Sequence, residues 1–251
     1  EDLSVLENVS LAVWLTLVDL ADEYRLIALH GWDDLVYTHI SATVPDEPGH
    51  FLINPYGMFF EEITASSLVK INMAGEKVMP SPYEINPAGF TIHSAIHEQR
   101  HDVHCVLHTH TKAGIAVSAQ ENGLLPISQH SLFVLASLGY HDYEGVALNE
   151  EEKPRLVADM GSNNFLMLRN HGLLTAAPTI ADTFQAMYFF EVSCQIQISA
   201  QAGGGELRMI EPEILAGIKA QAQQVQRGMG GQLVWPGLLR KLDRRDPSYR
   251  D

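Results

Sequence analysis

Residues 103–110 read VHCVLHTH. The apolar, partly β-branched run favours an extended strand. Successive side chains of a strand alternate between its faces. His104, Val106, His108 and His110 then share one face, and Cys105 and Leu107 take the other. The next stretch, TKAGIAVSAQ at 111–120, has helical spacing, with Thr111 as its cap. His108 and His110 are thus expected at the carboxyl end of a strand, where open α/β sheets gather ligands. Two imidazoles a few ångströms apart can chelate a divalent cation, but two donors leave its coordination incomplete. The third candidate is His171, in RNHGLL at 169–174, on a turn between apolar strands and flanked by Asn170 and Gly172. The same spacing also describes two polar residues that merely end a strand.

Working outward, residues 7–30 predict a helix, with Leu11, Trp14, Leu17, Val18, Ala21 and Leu26 on one face and Gly31 as its stop. Strands are predicted at 35–44, 50–54 and 68–73, and two more within 164–176. Further helices are predicted at 86–101, 179–205 and 212–228, the first two capped by Asn86 and Thr179. Helices and strands alternate without repeats or linkers. One α/β domain over residues 1–230 with a C-terminal tail at 231–251 is the simplest organisation. The basic stretch RKLDRRD at 240–246 reads as a solvated terminus.

The net charge of −15 argues against nucleic acid and anionic membranes as partners. The early apolar run LAVWLTLV at 11–18 is too short to cross a bilayer. The only two cysteines, Cys105 and Cys194, lie in apolar segments, as buried free thiols of a reducing, cytoplasmic compartment would. Among the 12 histidines, His93 and His97 form an i, i+4 pair without the acidic neighbour of an HExxH site, and they read as a helix face. His130, in LPISQHSL, reads as part of a loop. There is no P-loop, GxGxxG or GxSxG.

The run GFTIHSAIHEQRHDVHCVLHTHTKAGIAVSAQENGLLPIS at 89–128, followed by RNHGLLTA at 169–176, resembles the class II aldolase/adducin family. The stretches THISATV, HFLINPYG and ITASSLVKIN are similar to its adducin-head side. The resemblance implies a three-layer α/β/α fold with a central mixed β-sheet. It implies a divalent metal on His108, His110 and His171, zinc first, with iron or manganese as alternatives. It further implies a small-molecule substrate and a homotetramer. Thr38, Ser41 and Asn170 fall where the family meets substrate. Four departures stand out. The aldolases' catalytic glutamate aligns with Gly89, in PAG at 87–89, and their loop asparagine aligns with His39. Pro87 and Ala88 replace the serines that hold a substrate phosphate. His130 stands for a tyrosine that a neighbouring subunit supplies, so His130 and, after it, His39 are the candidate acid/base groups. The resemblance implies a lyase acting on a non-phosphorylated substrate. Three histidines with open positions also suit a non-haem iron oxygenase or decarboxylase. A non-catalytic module like the adducin head is the third expectation.

Overall fold

The computed structural model describes residues 9–146 and 150–251. Residues 1–8, including the first two of the helix expected at 7–30, lie outside the described residues. The first helix, α1, covers Leu11–His30. The Ser10 side chain accepts from the Val13 N–H at its start, and Gly31, at φ +68°, closes it in the left-handed conformation. Three short strands follow: β1 (His39–Thr43), β2 (His50–Ile53) and β3 (Val69–Asn72). Then come α2 (Pro87–Gln99), β4 (Cys105–Thr109), α3 (Lys112–Ser118), α4 (Gln129–Leu135), β5 (Leu138–His141) and α5 (Lys153–Met160). The chain continues through β6 (Phe165–Leu168), β7 (Gly172–Ala177), α6 (Ile180–Ala202), α7 (Pro212–Val225) and α8 (Trp235–Asp243).

The strands form one sheet in the order β3-β2-β1-β4-β7-β6-β5. Only β5 and β6 run parallel, so the sheet is mixed. One face carries Ile40, Ala42, Cys105, Leu107, Met167 and Leu173, which pack with α1 and α6. The other carries Val106, Leu166, Leu174 and Ala176, which pack with Ile92 and Ile96 of α2 and with Leu156 and Met160 of α5. The result is the three-layer α/β/α arrangement expected from the resemblance, and β4 at its centre has the expected alternation of faces.

Four differences from the sequence reading have physical causes. The strand expected at 35–44 shortens to β1 because Leu35 takes φ +50° and Tyr37 closes a turn onto the Asp34 carbonyl. His130 lies in a helix, α4, because Ser128 caps it and exchanges hydrogen bonds with Ser131. Helix α5 went unread because its apolar stripe is only Leu156 and Met160, one turn apart. The segment 231–251 is packed rather than trailing. Trp235, Leu242 and Tyr249 are buried in the main core, and their helical spacing is masked by the basic residues between them. Arg25 of α1 ties this segment down, donating to Asp246 Oδ2 at 3.1 Å and to Ser248 Oγ at 3.2 Å.

This packing encloses carboxyls on α1. Asp22 is 1% exposed, and its pKa is pushed up to about 8 by burial first and then by the charge of Asp19. Burial likewise pushes Glu23 well up. A carboxyl whose folded pKa exceeds its unfolded value near 4 binds more protons when folded. The contribution of Asp22 to stability therefore falls as pH rises from about 4 to 8, by about 1.4 kcal/mol per pH unit. We expect Asp22→Asn to flatten this slope and to raise the melting temperature at pH 8 by several degrees. Thermal melts of both proteins at pH 5 and pH 8 test it, and a variant whose melting temperature changes between the two pH values just as the wild type's does would refute it.

Candidate metal centre

Three histidines meet where the ends of β4 and β7 come together. His108 is the fourth residue of β4, and His110 follows its last residue. His171 sits in the turn between β6 and β7, where Asn170 takes φ +57° and the His171 N–H closes onto the Leu168 carbonyl at 3.1 Å. Gly172 permits the approach: a Cβ there would stand 2.3 Å from the Thr109 carbonyl oxygen. His108 Nε2 and His171 Nε2 each lie 2.9 Å from His110 Nε2. These residues are the one group of three potential ligands brought together among the described residues.

The hydrogen bonds decide what these nitrogens offer. His108 Nδ1 lies 2.9 Å from the Leu173 carbonyl, which can only accept, so Nδ1 carries the proton. His110 Nδ1 lies 3.0 Å from Asp34 Oδ2 and carries its proton for the same reason. In the neutral rings both Nε2 atoms are then bare lone pairs, facing each other at 2.9 Å. Such a contact is repulsive unless an electrophile lies between, and a divalent cation fits it. Burial, followed by His110 and His171, holds His108 well below the usual histidine range. Burial, followed by His110 and His141, lowers His171 to about 4. Neutral imidazoles are the state that ligates metal.

A cavity of about 420 Å³ opens over the triad. Ile92, Ile115, Tyr143 and Val146 give it an apolar wall, and Tyr37, His39, Asn86 and Asn170 add polar groups. No lysine or arginine lines it among the described residues. Ala88 also lines it, but the Ala88 N–H already donates to Asn86 Oδ1 at 3.0 Å. Arg169, nearby in sequence, is occupied elsewhere. Its guanidinium lies 4.3 Å over the Tyr140 ring and donates to the Gln120 carbonyl at 2.8 Å.

The other residues singled out from sequence divide. His39 and Asn170 line the cavity. His39 is 3% exposed, and burial first, then His110 and His171, lower it to about 3. Its ring fills the space beside Gly89: a Cβ at 89 would stand 2.6 Å from its Cγ and Cδ2. Ser41 lies behind the cavity, fully buried, between His93 Nδ1 at 2.6 Å and His97 Nε2 at 2.7 Å. His93 and His97 thus form the expected pair on one face of α2, and that face is turned inward against β1. Thr38 is fully buried and does not line the cavity. The alternation of β1 turns Ser41 inward with His39, but deeper. His130 lies on α4 with its ring 5.6 Å from Phe189 and is not among the cavity residues of its own chain. Sequence reading missed Asp34, Tyr37 and Tyr143. The paired acids Asp33 and Asp34 just after a helix stop were the available signal for the first.

A model of the class II aldolase and adducin N-terminal domain matches residues 18–198. The chain belongs to this family. A Pseudomonas aeruginosa member named "Putative aldolase class 2 protein" is 64% identical over 97% of this chain and 95% of its own length. Rat alpha-adducin is 40% identical over 89% of this chain, which spans only 32% of that protein. Among solved structures, an aldolase II superfamily protein from Pseudomonas syringae superposes with a TM-score of 0.94 at 49% identity, covering 99% of this chain and 100% of the other. L-fuculose 1-phosphate aldolase from Glaciozyma antarctica shares the fold, with a TM-score of 0.83 at 24% identity over 99% and 98% of the two chains. Class II aldolases use a divalent metal, and in this member of the family the histidine triad could hold one.

Proposed function

We propose that this protein is a metal-dependent lyase that makes or breaks a carbon–carbon bond beside a carbonyl in a small, non-phosphorylated substrate. The facing lone pairs of His108 and His110 carry the reading. With His171 they would hold the cation, zinc before iron or manganese. A cation there supplies Lewis-acid polarisation of a substrate oxygen. Asn170, beside His171, orients the substrate, and neutral His39 closes the inner end of the cavity. Tyr37 and Tyr143, both about half exposed, bring exchangeable phenol protons to its mouth. His130 would act only when delivered from a neighbouring copy, in the homotetramer that the family suggests. The lack of cationic side chains among the described residues of the cavity, and of a free Ala88 N–H, supports a substrate without phosphate. The two buried free thiols, Cys105 and Cys194, support a reducing, cytoplasmic setting. No described helix is long and apolar enough to cross a membrane.

Elemental analysis combined with coupled cleavage assays tests the reading. We expect about one zinc per chain and no robust turnover of fuculose-1-phosphate, rhamnulose-1-phosphate or ribulose-5-phosphate. Loss of the acid/base glutamate alone typically removes on the order of 10²–10⁴-fold in rate. Turnover of any of the three that disappears in His108→Ala would overturn the non-phosphorylated assignment. Bound iron with substrate-dependent dioxygen uptake would replace the lyase with an oxygenase.

A further inference from the structure

We propose that Asp34 is a positioning residue for the metal centre, holding His110 in the tautomer that turns a bare Nε2 toward the cation. The inference rests on the metal reading above and adds a residue to it. The three ligands are not oriented alike. His108 is fixed by a backbone carbonyl, that of Leu173, which no substitution removes. His171 is placed by its turn, through the backbone of Asn170 and its own N–H on the Leu168 carbonyl. His110 depends on a side chain, Asp34 Oδ2, 3.0 Å from its Nδ1. Without that acceptor nothing in this pairing forces the proton onto Nδ1, and an Nε2–H tautomer would point a hydrogen into the centre.

The loop is shaped to deliver this carboxylate. Trp32, 5% exposed, anchors it against His30 and Phe184. Leu35 takes the left-handed conformation, and the Tyr37 N–H closes onto the Asp34 carbonyl at 2.9 Å. Asp34 also lines the cavity, where it is the one acidic side chain among the described residues. Its side chain is 41% exposed. A polar contact that open to water contributes little to folding. Its contribution is therefore to the centre: a fixed tautomer and a more basic ligand nitrogen.

The experiment uses the full chain and zinc itself, competed against a chromophoric chelator. Asp34→Ala is expected to weaken zinc binding by about 10–100-fold. Asp34→Asn, whose amide oxygen can still accept from Nδ1, should recover part of that loss. In the zinc-free proteins, nitrogen-15 NMR of the histidines should show His110 protonated at Nδ1 in the wild type and shifted toward the Nε2–H tautomer in Asp34→Ala. Melting temperatures of the zinc-free proteins should match. Wild-type zinc affinity in Asp34→Ala, or an unchanged His110 tautomer, would overturn the role of Asp34. Failure of the wild-type protein to bind zinc would instead overturn the metal reading beneath it.

Discussion

Replacing His171 by Ala is expected to empty the metal centre while leaving the fold in place. His171 lies on a turn whose shape is set by the backbone of Asn170 and Gly172, not by the imidazole. Its removal leaves His108 and His110, two donors for a cation that structural and catalytic sites hold with at least three. The loss of affinity should exceed the roughly 10–100-fold typical of a change in a residue that only supports a ligand. Metal content after dialysis, read beside a far-ultraviolet circular dichroism spectrum, measures both halves of the expectation. Full occupancy in the variant would show that the cation is held elsewhere.

The second large effect concerns a side chain that is absent. Gly89 is the third residue of α2, and helix propensity alone would make Gly89→Ala stabilising by up to about 1 kcal/mol. The buried His39 ring reverses that sign, because the new Cβ would lie 2.6 Å from its Cγ and Cδ2 and 2.8 Å from its Nδ1. Forcing an extra methyl into such a space typically costs about 1–3 kcal/mol. Gly89→Ala should therefore destabilise the protein. The same change made in a His39→Ala background should be neutral or stabilising. A double-mutant cycle by urea denaturation reads the difference directly. Equal effects in both backgrounds would mean that His39 does not occupy the space beside residue 89. The same geometry applies to any longer side chain placed at position 89, a glutamate included: the ring of His39 stands where that side chain would begin.

How far the sequence could be read follows from the range of each interaction. The alternation of VHCVLHTH was enough to place His108 and His110 on one face, because strand periodicity is local. The caps Asn86, Thr111 and Thr179 were legible for the same reason, since each side chain bonds within three residues. His171 entered through a turn motif and a family resemblance, because no local pattern links it to residues 61 positions earlier. What stayed hidden was contact between distant segments. Nothing in HISAT foretells that Ser41 is held between two histidines of α2, or that His39 needs a glycine 50 positions on. Asp34 was missed because its partner lies 76 residues away. His93 and His97 do share a face of α2, as their i, i+4 spacing implies, but that this face packs against Ser41 of β1 could not be read from the spacing.

Synthesis imposes an order on the packing of α1. Leu17, Leu20 and Tyr24 leave the ribosome well before Trp235, Leu242 and Tyr249, which are buried in the same core. The ~220 residues between them take roughly 10–45 s to make at about 5–20 residues per second. Through that interval the nascent helix presents an apolar stripe without its final cover. Chaperone occupancy during translation should therefore concentrate on α1 and end only when residues 231–251 emerge.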